Sequence, residues 1–460
     1  MNRMLNQINK LPLALAVAII SGELPTYAKS NYQTGNSDRK PNVIFILSDD
    51  HGTLDLNSYG AKDLETPNLD KLATQGVRFT QFYAAAPVCS PSRAAILSGK
   101  VPQRAGLPGN ASPGKIPEGM PTEQFTMAEM MKAAGYVTGH IGKWHLGYLP
   151  GTSPNGQGFD YSFGHMVGCI DNYSHFFYWD GPNKHDLWRN GEEVWYDGKF
   201  FPDLVMQETF SFIEKNKTKP FFLYLALNYP HYPMQGADKW RLKYANLPRP
   251  RRDYAAAVST MDEKIGEILE RLTDLKMREN TIVVFMSDQG HSTEERAMGG
   301  GGYTGPFRGA KGCLFEGGIR VPAIISWPGH LPQNQTRHQM GVGTDWYPTI
   351  AELCGVPLPE EKLDGKSLVS VIKENAITPH QTFHWIFDKQ WVVREDDWKL
   401  LGNPIDKSNK GKLTQEDNLF LVNLKQDSTE MINLAPQYPE IVTRLKKLHE
   451  NWESEISVYK

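Results

Sequence analysis

Two short polar pairs supply the side chains best suited to chemistry, because each follows directly on an apolar run. Asp49 and Asp50 form the first pair, and Asp288 and Gln289 form the second. Their carboxylate and amide oxygens are hard ligands, which suit Ca²⁺ or Mg²⁺ better than Zn²⁺. An isolated Asp-Asp pair more commonly caps a turn, so the metal interpretation depends on the two pairs meeting in the fold.

A second candidate is the segment Cys89-Ser90-Pro91-Ser92-Arg93, which opens a helical pattern that ends at Gly99. Pro91 suits a first helical turn and Gly99 a C-terminal cap. A helix N-terminus attracts anions through its free N–H groups, and Arg93 adds a charged fork for a tetrahedral oxyanion. From the residues alone, a single cysteine at such a place is more commonly buried filler than a nucleophile.

The segment from Cys89 to Gly99 resembles the signature of the type I sulfatases, a family that includes arylsulfatase A, N-acetylgalactosamine-sulfate sulfatases and secreted bacterial polysaccharide sulfatases. Gly142-Lys143-Trp144-His145-Leu146-Gly147 is similar to the second signature of that family. The remaining matches, in family order, are Asn42 to Gly52, Pro230-His231, Ser287-Asp288 and Lys311 to Pro322. The resemblance covers nearly the whole mature chain and implies a sulfuric ester hydrolase.

The resemblance implies that Cys89 is oxidised to formylglycine (3-oxoalanine) by a formylglycine-generating maturation enzyme, and that the hydrated aldehyde is the nucleophile. It also implies one Ca²⁺ ion, which would be held by Asp49, Asp50, the modified Cys89, Asp288 and Gln289. Gln289 departs from the family, where asparagine is commoner. Glutamine also offers an amide oxygen, but on a longer stem.

Catalytic roles for five further residues follow from the same resemblance. Arg93 would hold the nucleophile and the sulfate, and Lys143 and His145 would contact the hydrated aldehyde. His231 and Lys311 would face the ester oxygen. Cations at these positions offset charge on the sulfate oxygens. An imidazole beside a lysine is a suitable general acid for the leaving alcohol, which makes His231 the candidate, and His145 is the candidate base for sulfate release.

Substrate contacts must come from loops outside the signatures. The stretch from Gly168 to Trp188 is rich in aromatic and polar side chains, among them the candidates Asp171, Asn172 and His175. Aromatic faces beside hydrogen-bonding groups suit a sugar, although a packed aromatic loop explains any single member equally well. Arg394 could bind a second sulfate or a uronate. With the resemblance, these features favour a sulfated galactan such as carrageenan, or glycosaminoglycan oligosaccharides, as substrate.

Two other functions remain open. Phosphonate monoester and phosphodiester hydrolases of the same superfamily share the formylglycine signature, so the ester could be a phosphorus ester. The chain could instead be a non-catalytic protein that binds sulfated glycans and keeps Cys89 as a thiol.

The apolar runs indicate how these residues are brought together. Val43 to Leu47, Tyr136 to Ile141, Phe221 to Leu227 and Ile282 to Met286 have strand character, and each leads into one of the polar turns. Helical patterns between the strands, such as Asp253 to Leu275, predict an α/β fold with a large, mostly parallel sheet covered by helices. The resemblance implies the alkaline-phosphatase-like version of that fold. Because ligands bind beyond the carboxyl ends of parallel strands, the four turns should converge.

A chain of 460 residues exceeds the usual size of a single core, which predicts a large and a small domain. We expect a catalytic domain over residues 29–375. Residues 376–460 are predicted to form a smaller C-terminal subdomain with short antiparallel strands and a closing helix over Glu440 to Trp452. The long glycine-rich stretch around Gly299 to Gly302 reads as a surface loop.

Composition and the N-terminus limit the partners and the location. The 49 basic and 52 acidic residues give a net charge of −3, which argues against a nucleic-acid-binding protein. Residues 1–28 have the pattern of a signal peptide, which predicts export to the periplasm or the medium, and no later stretch is apolar enough to span a membrane. If Cys89 is used chemically, Cys169, Cys313 and Cys354 allow at most one disulfide.

Overall fold

A large mixed sheet runs through the part of the chain that the computed structural model describes, which is residues 39–114, 118–178 and 183–457. The predicted signal peptide lies outside these residues. In chain order the strands are β1 (Asn42–Asp49), β2 (Val77–Tyr83), β3 (Val137–Lys143), β4 (Tyr161–His165), β5 (Phe176–Phe177), β6 (Lys184–His185), β7 (Trp188–Arg189), β8 (Glu192–Glu193), β9 (Phe221–Pro230), β10 (Thr281–Ser287), β11 (Arg320–Ser326), β12 (Gln335–Arg337), β13 (Gly341–Val342), β14 (Thr382–Phe387), β15 (Gln390–Glu395), β16 (Trp398–Gly402) and β17 (Leu419–Asn423).

The helices alternate with these strands as predicted. In chain order they are α1 (Pro67–Thr74), α2 (Cys89–Ser98), α3 (Met127–Ala133), α4 (Phe201–Lys215), α5 (Asp238–Lys243), α6 (Arg251–Asp274), α7 (Glu316–Ile319), α8 (Trp346–Cys354), α9 (Val369–Glu374) and α10 (Pro439–Ile456). Among the described residues, no helix is both long enough and apolar enough to cross a membrane.

Parallel strands form the centre of the large sheet, whose order is β12-β2-β11-β10-β1-β9-β3-β4-β7-β8, with β13 also paired to β2. Strands β10, β1, β9, β3 and β4 are mutually parallel, whereas β11 and β7 join them antiparallel. The predicted α/β architecture with a mixed, mostly parallel sheet is therefore confirmed. The carboxyl ends of the central strands all lie at one edge of this sheet.

Both faces of the sheet are buried, as the continuous apolar runs predict. In β1, Val43, Phe45 and Leu47 belong to one core cluster. Ile44 and Ile46, which alternate with them, belong to the cluster on the opposite face of the sheet. Helices α2, α3 and α8 cover the first face, and α1, α4 and α6 cover the second. Two helical layers thus hold the central strands rigidly and fix the turns at their ends.

A second, four-stranded antiparallel sheet, with the order β14-β15-β16-β17, forms the predicted C-terminal element. Helix α10 packs on one face through Leu445, which joins Val393 and Leu400 in a small cluster. The other face packs against the large domain, where Trp385 and Phe420 meet Phe315. Helix α9 ends at Glu374, and the four-stranded sheet begins at Thr382. The domain boundary at residue 375 stays a prediction.

Buried charges also connect the two sheets. Lys399 of β16 is 1% exposed, and its Nζ lies 3.0 Å from Glu316 Oε1 and 2.8 Å from Glu430 Oε1. Glu316 also accepts a hydrogen bond from Tyr83 Oη at 2.8 Å. Burial raises the pKa of Glu430 to about 7, although Lys399 opposes that shift. One lysine thus compensates two buried carboxyl groups on different elements.

Replacing Lys399 by methionine is expected to lower the free energy of unfolding by about 3–5 kcal/mol, because two buried carboxyl groups lose their shared cation. The loss should be smaller at pH 5.5 than at pH 8. Because Lys399 opposes the rise in the pKa of Glu430, its loss raises that pKa further, so the variant gains more stability than the wild type as protons bind the folded state at falling pH. Urea unfolding at both pH values measures the effect.

The matched control is Lys446→Met, because Lys446 and Glu450 form a pair in which both side chains are 52% exposed. Such a pair contributes little, so the change should stay within about 0.5 kcal/mol. Equal losses for the Lys399 and Lys446 variants would contradict the role assigned to the buried cluster.

Candidate active site

The four predicted polar turns meet at the carboxyl edge of the large sheet. Asp49 is the last residue of β1, Asp288 follows β10, His231 follows β9, and Lys143 ends β3. Strands β10, β1, β9 and β3 are direct neighbours in that order, so their ends bring these side chains together. The predicted convergence is confirmed.

Oxygen, sulfur and nitrogen ligand atoms share a small volume at this point. One ligand atom each from Asp49, Asp50, Cys89 and His231 lies within 4.8 Å of all the others, and all four residues are buried. The Asp50 backbone N–H donates to Asp288 Oδ1 at 3.2 Å, which adds the second acidic turn to the cluster. Asp50 has φ 60°, a left-handed conformation uncommon outside glycine, and such strain concentrates at functional sites.

The side chain of Gln289 completes the cluster. Its Nε2 contacts the carboxylate of Asp50 and lies 3.4 Å from Cys89 Sγ, while its Oε1 is buried without a hydrogen-bond partner. Turning the amide over would direct Oε1 at the same carboxylate and sulfur, where a bound cation, or a proton on Asp50 or Cys89, would stabilise the contact. The orphaned oxygen therefore fits the hard-cation site that the sequence predicts, although glutamine stands where asparagine is commoner.

Three cationic side chains, of which Arg93 and Lys143 are buried, face the three carboxylates. Arg93 donates to Asp288 Oδ2 through Nε at 3.0 Å and Nη2 at 2.8 Å. Lys143 Nζ lies 2.7 Å from Asp49 Oδ2, and Lys311 Nζ lies 2.9 Å from Asp50. These pairs balance the formal charges of the buried groups, which is the condition for keeping ionised side chains out of water.

Burial affects the three carboxyl groups unequally. It raises the pKa of Asp50 to about 6 and the pKa of Asp288 to about 7. For Asp49 burial acts in the same direction, but Lys143, His231 and Arg93 outweigh it and hold the pKa well below its usual range. A bound divalent cation would favour the charged form of all three groups. The donor set is therefore suited to such an ion.

Cys89 begins helix α2, and the two serines of its motif fix the position of that helix. Ser90 Oγ donates to the His145 carbonyl at 2.6 Å, and Ser92 Oγ donates to the Asp288 carbonyl at 2.5 Å. Gly99 ends the helix in the left-handed conformation with φ 68°, as its predicted C-cap role requires. The motif thus ties the first turn of α2 to the ends of β3 and β10.

The thiol of Cys89 is a poor nucleophile in this environment. Burial raises its pKa to about 11, even though Lys143 and Lys311 favour the thiolate. A thiol with that pKa stays protonated at neutral pH, and it is the thiolate that reacts. The encoded thiol is therefore not activated as a nucleophile in this environment.

His231 and Lys311 form a hydrogen-bonded pair beside the carboxylates. His231 Nδ1 donates to the Tyr232 carbonyl at 2.6 Å, so Nε2 accepts and lies 3.3 Å from Lys311 Nζ. Burial lowers the pKa of His231, and Lys311 adds to the shift. Burial alone would lower the pKa of Lys311. The charges of Asp50 and of the nearby Cys89 outweigh burial and raise that pKa well above its usual range. The resting pair therefore holds its mobile proton on Lys311.

His145 follows β3, two residues after Lys143, and its carbonyl accepts the hydrogen bond from Ser90. Its φ is 56°, and its Nδ1 is buried without a hydrogen-bond partner. Burial, followed by Lys143 and Arg93, holds the pKa of His145 well below its usual range. A neutral imidazole with an unpartnered nitrogen is able to accept a proton. The role of base that the sequence predicts stays a prediction.

The three residues of the loop after β4 that were predicted to bind substrate form hydrogen bonds within the protein. Asp171 accepts from Ser174 and from Gln235, Asn172 Oδ1 accepts from Asn228 at 2.8 Å, and His175 Nε2 donates to the Lys199 carbonyl. These bonds shape the loop after β4. Substrate binding by these residues stays a prediction, and the Nδ2 group of Asn172 is buried without a partner.

Arg394 lies in the buried contact between the two sheets, where it was not expected. Its Nη1 donates to Tyr83 Oη, its Nη2 to Gln81 Oε1 and its Nε to the Asp396 carbonyl. Each guanidinium nitrogen thus has a protein partner, and the residue is only 5% exposed. This arrangement favours a structural role over contact with a second sulfate or a uronate.

Sequence reasoning missed a residue that holds the acidic turn. Tyr254 of α6 contacts the turn after β1, because its Oη accepts from the Gly52 N–H at 2.8 Å and lies 3.3 Å from the Asp50 carbonyl. The sequence predicted this helix only as part of the α/β pattern, with no contact to the site. From one sequence, a tyrosine on the apolar face of a helix is expected to pack in the core, and nothing indicates that its hydroxyl binds a distant turn.

Comparison with known proteins agrees with this geometry. The model of the sulfatase family matches residues 41–356, and the model described as N-sulphoglucosamine sulphohydrolase, C-terminal, matches residues 308–455. The chain belongs to the sulfatase family, and it is a sulfuric ester hydrolase. The resemblance noted in the sequence is thereby confirmed.

Individual relatives show how far the similarity extends. N-acetylgalactosamine-6-sulfatase from Sus scrofa is 36% identical over 371 residues, which cover 75% of this chain and 68% of the relative. Arylsulfatase A from Homo sapiens is 35% identical, with 89% of this chain and 87% of the relative covered. A crystal structure of Ps i-CgsB in complex with k-i-k-neocarrahexaose superposes with a TM-score of 0.81 at 30% identity, covering 90% of this chain and 93% of that chain.

Proposed function

We propose that this sulfatase hydrolyses sulfate esters of carbohydrates, using formylglycine made from Cys89 and a bound Ca²⁺ ion. The observation that carries the proposal is the meeting of Cys89 with three carboxylates and three cations at one buried point. Asp49, Asp50, Asp288 and Gln289 would hold the ion. When present, the ion and the hydrated aldehyde would supply a Lewis acid and an oxygen nucleophile at this point.

The cations of this chain would bind and orient the sulfate group. Arg93 is fixed by two hydrogen bonds to Asp288, and Lys143 is fixed by Asp49, so neither has to reorganise when an anion arrives. Preorganised positive groups in a buried site stabilise the negative charge on sulfate oxygens more strongly than water does. Binding and charge stabilisation thus come from the same two side chains.

The pair of His231 and Lys311 would supply the proton to the leaving alcohol. Lys311 holds the proton in the resting site, and His231 Nε2 is 3.3 Å from its Nζ, so a proton can pass between them. His145, with its unpartnered Nδ1, would take up the proton that is released when sulfate departs. The two imidazoles would thus have opposite roles in proton transfer, one as donor and one as acceptor.

Replacing His231 by alanine is expected to lower kcat/KM for a sugar sulfate about 10²–10³-fold, because the alkoxide of a sugar leaves poorly without a proton. For 4-nitrophenyl sulfate, whose phenolate leaves readily, the loss should be about tenfold or less. Steady-state kinetics on both substrates measure the difference. His330→Ala, which removes an exposed histidine stacked on Trp327, is the control. Equal losses on both substrates would contradict the proton-donor role of His231.

The proposed substrate is a sulfated galactan such as carrageenan, or glycosaminoglycan oligosaccharides. Support comes from the names of the relatives, which include N-acetylgalactosamine-6-sulfatase, and from the carrageenan-type hexaose bound to Ps i-CgsB. Phosphonate Monoester Hydrolase of Agrobacterium radiobacter superposes with a TM-score of 0.61 at 18% identity, which shows a shared fold alone.

The test is sulfate and phosphate release, measured by ion chromatography, from carrageenan and glycosaminoglycan oligosaccharides and from a phosphonate ester. The protein is co-produced with a maturation enzyme. We expect sulfate from one saccharide class and no phosphate. Turnover of the phosphonate ester alone would favour the phosphorus-ester alternative, and saccharide binding with no turnover would favour the non-catalytic one.

We also propose that the protein is exported to the periplasm or the medium. The support is the signal-peptide pattern of residues 1–28 together with a polymeric substrate that cannot enter a cell intact. Conversion of Cys89 would then require a formylglycine-generating enzyme in the producing cell.

A further inference from the structure

Three large aromatic side chains, Tyr173, Tyr178 and Trp195, are exposed in the stretch between β4 and α4, and the last two are the most exposed. Trp195 is 56% exposed and Tyr178 is 45% exposed. By contrast, Trp144, Trp346 and Trp385 are almost completely buried in the same protein. Exposed aromatic groups that lie together commonly mark a binding surface.

These two most exposed rings are part of an ordered stack, which we call the aromatic platform and define as Phe176, Tyr178, His185 and Trp195. The indole of Trp195 lies parallel to the His185 ring, with centroids 3.7 Å apart and an interplanar angle of 7°. Phe176 meets the indole edge at 6.1 Å and stacks on Tyr178 at 5.9 Å. One face of the indole is therefore covered by His185, and its exposure belongs to the opposite face.

Polar contacts hold the platform in place. His185 Nδ1 lies 2.8 Å from Glu193 Oε1, so the ring beneath the indole has a fixed orientation. Glu193 belongs to β8, which pairs with β7 at the edge of the large sheet. Through Glu193, the platform is thus anchored to the edge of the large sheet that β7 and β8 form.

The hairpin of β5 and β6 connects the platform to the candidate site. Phe176 pairs with His185 across this hairpin, and Phe177 pairs with Lys184. Consecutive residues of a strand point to opposite faces, so Phe177 lies on the side away from the platform. There it packs against the cluster that contains Tyr232, whose ring is 4.0 Å from the His231 ring. One face of the hairpin therefore packs on the cluster that neighbours His231, and the other face carries the platform.

We propose that the aromatic platform binds a further sugar ring of the sulfated glycan whose ester is hydrolysed at Cys89. This inference rests on the proposed function, since it names a second contact for the same substrate. A pyranose presents a C–H face that stacks on an open indole, and its hydroxyls need nearby polar groups such as the Glu193 carboxylate.

The experiment compares substrate lengths. Carrageenan and chondroitin sulfate oligosaccharides of two to six sugars, together with 4-nitrophenyl sulfate, are assayed with the wild-type protein, Trp195→Ala and Trp195→Tyr. For the hexasaccharide that wild type desulfates, Trp195→Ala should lower kcat/KM about tenfold, mainly through KM. The loss on the aryl sulfate should be at least about fivefold smaller. Trp195→Tyr keeps an aromatic face and should restore most of the hexasaccharide activity.

A binding measurement separates this inference from the proposed function. Tryptophan fluorescence of the full-length Cys89→Ala protein is titrated with the same hexasaccharides, with and without Trp195→Ala. The exposed aromatic Tyr438, at the start of α10, gives the control variant Tyr438→Ala. Thermal melting confirms that each variant is folded.

The outcomes are distinct. Saturable binding that weakens about tenfold on loss of Trp195, but not on loss of Tyr438, supports the platform even where no sulfate is released. Absence of sulfate release from every saccharide sinks the proposed function. Equal losses on the hexasaccharide and the aryl sulfate, or hexasaccharide binding that is the same with and without Trp195, overturn the platform.

Discussion

Replacing Cys89 by alanine is expected to lower sulfate release at least about 10⁴-fold, because the side chain that becomes the nucleophile is removed. The fold should remain. Helix α2 keeps its position through Ser90 and Ser92, which bind the carbonyls of His145 and Asp288, and neither bond involves the cysteine. Sulfate release is measured on the best substrate of the panel, and thermal melting reports the fold.

Unmodified cysteine at position 89 sharpens this prediction. Protein made without a maturation enzyme should be as inactive as Cys89→Ala, since burial raises the thiol pKa to about 11 and leaves almost no thiolate at neutral pH. Cys354→Ala is the matched control, because Cys354 is also a buried, free thiol, but lies in α8. A peptide mass for the segment around Cys89 reports its conversion. Near wild-type activity in either inactive form would refute the formylglycine mechanism.

The central strands could be predicted from the sequence because their apolar runs are long and uninterrupted. Val43 to Leu47 and Ile282 to Met286 fall inside β1 and β10, and Phe221 to Leu227 falls inside β9. The predicted helix over Asp253 to Leu275 is α6 to within two residues at its start. Burial on both faces produces this pattern directly, so one sequence is enough to read it.

Short elements at the rim were not predicted. The hairpin of β5 and β6 has two residues in each strand, too few for a periodic pattern. The sequence analysis singled out the aromatic density of Gly168 to Trp188 but not Trp195, which follows that stretch and completes the stack with His185. Contacts between rings depend on the path of the chain, which composition does not encode.

Some features of the candidate site could likewise be predicted from the sequence, and others could not. The acidic turns and the Cys89 motif are local sequence features, so their residues and their meeting point could be predicted. The partners of Arg394 could not, because Tyr83 and Gln81 lie more than 300 positions away in the sequence. The state of the cysteines also depends on distant contacts that one sequence does not encode. The sequence allowed one disulfide, whereas the structure has Cys89, Cys169, Cys313 and Cys354 as buried free thiols.

Removing divalent cations from the converted protein is expected to lower activity at least about 10³-fold, and adding Ca²⁺ should restore it. A cation among Asp49, Asp50, Asp288 and Gln289 contributes several kcal/mol to charge stabilisation in such a site. Oxygen ligands alone select a hard ion, so Ca²⁺ or Mg²⁺ should act where softer metals do not. Activity is measured after treatment with a chelator and again after each metal is added separately.

The protein should stay folded without the ion, which separates a catalytic loss from a structural one. Each carboxylate already has a cationic partner, namely Arg93 for Asp288, Lys143 for Asp49 and Lys311 for Asp50. Circular dichroism should therefore be unchanged by the chelator, while Ca²⁺ raises Tm with its concentration because it binds the folded state. Recovery with Mn²⁺ or Zn²⁺ alone would refute the hard-ion assignment. In that case the longer stem of Gln289, the one ligand that departs from the family, would be the first place to seek the cause.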